Sequence, residues 1–108
     1  MEAALHSLTL QAGELEIRTG EFVALAAGRR LPLTLRELDL LTALVERRDR
    51  VVTRRELYQE VWGAPYRKCD RSVDVYVGRL RGKLAQVLPG QSLIHTHFGF
   101  GYRFSLEP

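Results

Sequence analysis

Two copies of the pattern Thr-x-x-Glu constrain what this chain can fold into more than any other feature. They occur at Thr34–Glu37 and at Thr53–Glu56, and apolar residues at helical spacing follow each of them. In such a capping box the threonine hydroxyl accepts the third amide of a helix, and the glutamate accepts the amide of the threonine. The two patterns therefore predict two separate helices, over about 35–48 and 54–62.

The segment before the first capping box has a different period. Short apolar runs, separated by Gly13, Gly20 and Gly28, favour three or four antiparallel strands within about residues 7–34. Pro32 cannot donate a hydrogen bond to a strand ladder, so its strand is expected to lie at a sheet edge or to end there. The N-terminal third is therefore predicted to be a small sheet.

The last part of the chain reads as a helix followed by a hairpin. Asp70 or Ser72 is predicted to cap a third helix over about 71–86. Apolar residues on both sides of the turn Gly99–Gly101 predict a β-hairpin over about 93–106. The predicted order of elements is therefore sheet, three helices, hairpin.

Length and composition limit the class of protein. A chain of 108 residues suits one α+β domain, 1–108, with a single modest core. No apolar run could span a bilayer, no export signal is visible, and Cys69 has no intrachain partner, which favours a cytoplasmic, nucleoid-associated protein. Between Arg67 and Lys83 six basic residues stand against two acids, a local excess of +4, and the remaining residues sum to −1. Such a basic segment is typical of a polyanion binder, although charge alone fits a solvated helix face equally well.

A helical projection divides the third helix into two faces. The inner face is an apolar stripe made of Val73, Val77, Leu80, Leu84 and Leu88. The outer face is small, polar and basic, and consists of Arg71, Ser72, Val75, Gly78, Arg79, Gly82 and Lys83, with Asp74 and Arg81 on one flank and Tyr76 on the other.

The outer face has the chemistry that reading duplex DNA requires. The guanidinium of Arg79 can bond a guanine edge through two hydrogen bonds. Val75 can lie against a thymine methyl group, although exposed aliphatic residues without a function are common. Four further residues are expected at phosphates, namely Arg71 and Ser72 at the positive end of the helix and Arg81 and Lys83 beside the groove. Tyr76, on the other flank, is also expected to contact the DNA.

Six motifs follow one another along the chain at defined spacing. They are Thr34-x-x-Glu37-x-x-Leu40-Leu41, Val51-Val52-Thr53-Arg54-x-Glu56-Leu57, Val61-Trp62-Gly63, Arg71-Ser72-Val73-Asp74-Val75, Arg79-Leu80-Arg81-x-Lys83-Leu84 and Gly99-x-Gly101-Tyr102-Arg103-Phe104. Together they resemble the OmpR/PhoB-type effector domain of bacterial two-component response regulators, over roughly Leu8 to Leu106.

The resemblance implies a winged helix-turn-helix fold with a four-stranded N-terminal antiparallel sheet, three helices and a C-terminal β-hairpin, the wing. It also implies sequence-specific binding of double-stranded DNA for transcriptional regulation. The third helix would enter the major groove, and the wing, 94–105, would contact the adjacent minor groove or the backbone. Family members usually bind direct repeats as head-to-tail pairs under the control of a receiver domain. These 108 residues contain no receiver, so an excised domain and a stand-alone regulator both stay open.

The resemblance assigns a partner to the loop 63–70, between the second and third helices. In such proteins this loop can contact RNA polymerase, and here the residues expected to do so are Gly63, Tyr66, Arg67 and Lys68. This basic loop departs from the family pattern and is expected to suit either a different protein contact or a phosphate.

The wing also departs from the family pattern. His95 and Phe98 stand where arginine is usual, so the expected polar contacts of the wing to DNA are His95, His97 and Arg103. Phe98 is expected either to act as an apolar wedge or to pack against Tyr102, and the packing is favoured.

The outer face of the third helix departs from the pattern at Gly78 and Gly82, which occupy sites that are often basic. They either let the helix approach DNA unusually closely or lower its affinity.

Three other functions are alternatives to DNA binding. A metal site at His95, His97 and His6 lacks a further ligand, and nothing in the sequence brings His6 nearby, so neither a metal nor a cofactor is predicted. Ser72 and Asp74 have no nucleophile elbow around them, so no catalytic residue and no enzyme are predicted. A winged-helix protein-interaction module with weak or no DNA binding, docking through its apolar wing tip, is the alternative.

Overall fold

The computed structural model of the protein describes residues 9–107. Three helices form one layer of the fold: α1 (Leu35–Glu46), α2 (Arg54–Trp62) and α3 (Ser72–Val87). The described residues also form seven short strands, namely β1 (Thr9–Ala12), β2 (Leu15–Arg18), β3 (Val23–Ala26), β4 (Arg29–Arg30), β5 (Val52–Thr53), β6 (Ile94–His97) and β7 (Gly101–Phe104).

The first four strands form an antiparallel sheet in the order β1-β2-β3-β4. Gly13 and Gly28, at φ +60 and +77, allow the tight turns after β1 and β3. The amide of Leu31 still donates to Ala24 at 2.9 Å, but Pro32 has no amide to continue the ladder. β4 therefore ends at Arg30, before the predicted limit of 34, and the described strands of this sheet cover residues 9–30. Residues 7 and 8 of the predicted range lie outside the described residues.

Both capping boxes form as the sequence predicts. At α1 the amide of Thr34 donates to Glu37 at 2.9 Å and the amide of Glu37 donates back at 3.2 Å. At α2 the two reciprocal hydrogen bonds between Thr53 and Glu56 both measure 3.0 Å. Because these caps satisfy orphan amides at both helix starts, the predicted starting residues agree with the structure.

The start of α3 differs from the sequence prediction. Arg71 occupies the N-cap position with no side-chain cap, and neither candidate residue stands there. Asp70 instead accepts the amide of Ser72 at 2.8 Å, which satisfies one of the free amides from outside the helix. The pKa of Asp70 is lowered by the hydrogen bonds from Ser72. The helix spans Ser72–Val87 rather than 71–86, and α1 ends at Glu46 rather than 48.

The core lies between the helices, the first sheet and the hairpin. The predicted inner stripe of α3 is buried throughout, with Val73, Val77 and Leu80 fully inaccessible. These side chains join a cluster contributed by every layer, which includes Ile17, Leu40, Leu41, Leu44, Leu57, Leu84, Leu88 and Phe104. Burial of this stripe fixes the rotation of α3 and so determines which of its residues face outward.

The second sheet, in the order β5-β7-β6, holds the hairpin against the helices. Val52 pairs with Tyr102, and Thr53 pairs with Gly101. A Cβ atom at Gly101 would collide with the backbone of Val52 and lie 2.8 Å from the Cα of Thr53. Glycine is therefore required where β7 crosses β5, and the close approach anchors the stem of the hairpin.

Candidate nucleic-acid interface

The outer face of α3 is open along its length. Arg71, Val75, Gly78, Arg79 and Gly82 are all exposed, and they recur at the three- and four-residue spacing of one helix face. None of the described atoms beyond the helix itself lies within 4 Å of a Cβ built at either glycine. The face can therefore meet a ligand with its backbone as well as its side chains.

Arg79 lies over the ring of Tyr76, with its guanidinium carbon 4.8 Å from the ring centroid. Tyr76 meets Trp62 edge-on, at 5.3 Å and 86°, and Trp62 stacks on Tyr58 at 5.1 Å with the planes 3° apart. We call Tyr58, Trp62 and Tyr76 the aromatic stack. It connects α2 to the outer flank of α3 and supports the cation of Arg79 by cation–π attraction.

Asp74 is a junction between three elements, although the sequence alone places it only on a flank of α3. Its carboxylate accepts Arg54 of α2 at 2.8 Å, Arg71 at 3.1 Å and the hydroxyl of Tyr102 of β7. Burial alone raises the pKa of Asp74, but the hydrogen bonds from Tyr102, Arg54 and Arg71 outweigh it and lower the pKa below its ordinary value. The junction fixes the start of α3 relative to the hairpin.

Arg81 and Lys83 are oriented differently from the sequence prediction. Arg81 donates to the carbonyl of Ile94 at 2.7 Å and to the hydroxyl of Thr96 at 2.8 Å, and so holds α3 to β6. Lys83 reaches back to Glu37 of α1, at 2.6 Å. The Glu37 side chain is only 3% exposed, and a buried carboxylate strongly favours a cation beside it. Neither side chain extends freely toward a groove, so their predicted backbone contacts have no geometric support.

The pKa of Glu37 reflects this pairing. Burial raises this pKa, but the hydrogen bonds from Lys83 and from the amide of Thr34 outweigh burial, so the pKa lies below the ordinary value. Glu37 therefore acts both in the cap of α1 and as the anion that holds α3.

The polar residues of the wing face one another. Arg103 donates to Nε2 of His97 at 3.1 Å, and His95 pairs with Arg103 across the hairpin. His95 is half-buried, and its Nε2 has no hydrogen-bond partner among residues 9–107. Phe98 is 88% exposed, so the favoured packing of its ring against Tyr102 is wrong. The three-residue turn leaves its side chain beyond the end of the two strands.

The loop between α2 and α3 has a packed part and a free part. Gly63 ends α2 at φ +68, and Tyr66 packs edge-on against Tyr58 with centroids 5.7 Å apart. Arg67 and Lys68 are exposed. Of the residues expected to meet a protein partner, Gly63, Arg67 and Lys68 are therefore accessible, and Tyr66 stabilises the loop.

Metal binding and membrane insertion find no support in the described part of the chain. Within residues 9–107 no group of three or more His, Cys, Asp or Glu could hold a metal ion. His6, the third ligand considered from the sequence, lies outside the described residues. No helix between residues 9 and 107 is long and apolar enough to cross a membrane.

When the chain is compared with known proteins, it matches the model of one protein family. The model of the family described as "Transcriptional regulatory protein, C terminal" matches residues 28–104, which is more than half of the chain. The chain is 37% identical over 105 residues to the transcriptional regulatory protein PrrA of Mycobacterium leprae. That match covers 97% of this chain and 45% of PrrA, so the chain spans less than half of this relative's length.

Two solved structures are similar over almost their whole length. The DNA-binding domain of CpxR from E. coli superimposes with a TM-score of 0.83 at 33% identity, covering 92% of this chain and 97% of that one. The DNA-binding domain of RstA from Klebsiella pneumoniae, in complex with the RstA box, gives a TM-score of 0.82 at 30% identity, covering 90% and 96%. The predicted arrangement of four-stranded sheet, three helices and wing is therefore confirmed.

Proposed function

The chain belongs to the family of C-terminal domains of transcriptional regulatory proteins, the OmpR/PhoB-type winged-helix domains of response regulators, and we propose that it reads a specific duplex sequence with α3 in the major groove. As a member of this family the domain binds DNA in transcriptional regulation and is not an enzyme. We also propose which residues contact the DNA and which part of the duplex each of them contacts.

The exposed, unobstructed face of α3 supports this proposal most strongly. A helix of 16 residues is about 24 Å long, and the major groove is about 12 Å wide, so one helix face can lie along the base edges. Arg79, supported by Tyr76, donates to the O6 and N7 atoms of a guanine. Val75, 46% exposed and one turn earlier, contacts a thymine methyl group.

Phosphates on either side of the groove bind the ends of this surface. Arg71 uses only its Nε atom on Asp74, and its side chain is 78% exposed, so its terminal nitrogens are available to a phosphate. Ser72 lies beside it at the positive end of α3. The wing contacts the adjacent minor groove or backbone through Arg103 and His97, which exchange their mutual hydrogen bond for phosphate oxygens.

Further partners follow from the same arrangement. Because Arg81 and Lys83 are hydrogen-bonded to other elements of the protein, the outer face of α3 keeps few free cations, and binding to direct repeats as a head-to-tail pair would compensate for this. The exposed Arg67 and Lys68 in the loop 63–70 provide a basic surface for RNA polymerase beside the DNA. Such a protein acts in the cytoplasm, on the nucleoid.

Selection of duplexes from a genomic library by the purified chain tests the proposed function. We expect one enriched motif, and binding that weakens steeply as salt is raised, because phosphate neutralisation releases counterions. No binding to any duplex even at low salt would contradict the proposal and favour the protein-interaction module. Nanomolar affinity of the isolated chain for a single half-site would contradict the need for pairing.

A further inference from the structure

The wing ends in two exposed phenylalanines. Phe98 and Phe100, on either side of Gly99 in the turn between β6 and β7, are 88% and 70% exposed. Full burial of one phenylalanine side chain at a contact strengthens that contact by about ten- to 150-fold. Two such rings at one tip therefore represent a substantial driving force for contact with an apolar surface.

The tip is attached to a rigid stem. His97 accepts the amide of Phe100 at 2.9 Å to close the turn, and Gly99 has a φ of +84. Below it, β7 lies against β5 at Gly101 with no room for a Cβ, and Tyr102 is bonded to Asp74 at the start of α3. Because the stem is already ordered, little entropy is lost when the tip binds, and its distance from α3 is fixed.

The surroundings of the tip favour a polyanion with an apolar interior. Residues 94–104 contain two histidines and one arginine and no carboxylate. Phe98 also borders an open groove of about 530 Å³ on the side of the protein where α3 begins. Both arginines and carboxylates line this groove, namely Arg54, Arg71, Asp70 and Asp74, so the positive charge close to Phe98 comes from the wing itself and from the free terminal nitrogens of Arg71. Duplex DNA presents that combination, since phosphates surround a stack of bases.

We propose that Phe98, supported by Phe100, inserts as an apolar wedge into a base step from the minor groove and kinks the duplex beside the site read by α3. The inference rests on the proposed function. Partial unstacking costs a few kcal/mol, which burial of the ring and the added contacts of bent DNA offset. Pyrimidine–purine steps unstack most easily, so the wing reads a flexible TA or CA step at a position where it makes no hydrogen bond to a base.

The test uses a short duplex containing the selected motif, with 2-aminopurine at the step under the wing and a dye pair at the ends. Wild-type protein is expected to increase the 2-aminopurine fluorescence and to bend the duplex. Phe98→Ala should lose both signals and bind about tenfold more weakly. The salt dependence of its affinity should not change, because no phosphate contact is removed. Phe22→Ala is the matched control, since Phe22 is 68% exposed at the turn between β2 and β3 and should behave like wild type.

Phe98→Arg separates apolar insertion from charge. We expect it to regain affinity through a phosphate contact and to steepen the salt dependence by about 0.9 in slope, without regaining the bend. Phe98→Ala with unchanged affinity, bend and fluorescence would overturn the wedge and leave the tip available to a protein partner. Failure of wild-type protein to bind any duplex would overturn the proposed function itself, which is a different result.

Discussion

Outside its buried stripe, α3 with its N-cap residue carries two sets of residues with opposite surroundings. Asp74, Arg81 and Lys83 hydrogen-bond to residues of other elements and hold the helix in place. Arg71, Val75 and Arg79, on the outer face, are exposed and can contact a ligand. The two sets alternate along the same helix, so charge in the sequence does not equal charge available for binding. Substitutions in the first set should change stability, and substitutions in the second should change DNA binding.

Lys83→Met should produce the largest effect, on stability. It leaves the buried carboxylate of Glu37 without its cation, although the amide of Thr34 still donates to it, so we expect the free energy of unfolding to fall by about 2–3 kcal/mol. Urea unfolding measures this loss. The double variant Lys83→Met/Glu37→Gln should recover much of it, because glutamine also serves in a capping box. Unchanged stability together with a shallower salt dependence of DNA binding would instead place Lys83 at a phosphate.

Arg79→Ala should have a comparable effect on binding and almost none on folding. We expect the affinity for the selected motif to fall by about 1–3 kcal/mol and discrimination at one base pair to disappear. Arg79→Lys keeps the charge but not the two parallel donors, so it should retain general affinity and lose the discrimination. Competition binding against single-base variants of the motif measures both. If Arg79→Ala remained equally selective, α3 would not read bases through this residue.

Local patterns in the sequence are sufficient to predict the helices and the buried face of α3. Capping boxes and apolar periodicity depend on neighbouring residues, so α1, α2 and the buried stripe of α3 could be predicted from local patterns. The directions of Arg81 and Lys83 could not, because their partners at Ile94 and Glu37 come from distant segments. A projection of one helix shows only which way each Cα–Cβ bond points, and a long side chain can turn back from there.

The aromatic stack and the wing tip show the same limit. Tyr58 and Trp62 lie four residues apart on α2, a spacing that could have predicted their contact. The edge-on contact of Trp62 with Tyr76 needs the packing of α2 on α3, which no local pattern gives. The sequence favours packing of Phe98 against Tyr102, but where the ring lies depends on the geometry of the turn, which leaves it in solvent.

Asp74→Asn should have a smaller effect that depends on pH. The pKa of Asp74 is lowered in the folded protein, so its stabilisation is fully present above the ordinary value of 3.8 and is lost as pH falls through the lowered pKa. The variant should lose about 1–2 kcal/mol at neutral pH and show a shallower decline of stability below about pH 4. Asp39→Asn removes an exposed carboxylate from α1 and is the control. If the stability of wild type and of Asp74→Asn depended on pH in the same way, the carboxylate of Asp74 would not stabilise the junction.

Gly78→Ala and Gly82→Ala should have the smallest effects. Each variant should raise the stability of the fold and lower the affinity for DNA. Alanine is favoured over glycine inside a helix, and no described atom beyond α3 obstructs the added methyl groups, so each variant should be more stable by up to about 1 kcal/mol. If the outer face lies directly against base edges, the same methyl groups should weaken DNA binding. Gln86→Ala, at an exposed position in the last turn of α3, should leave both quantities nearly unchanged. Higher stability with unchanged affinity at both glycines would mean that the duplex does not approach this face closely, and the affinity would then depend on the long side chains of Arg71 and Arg79 and on the wing.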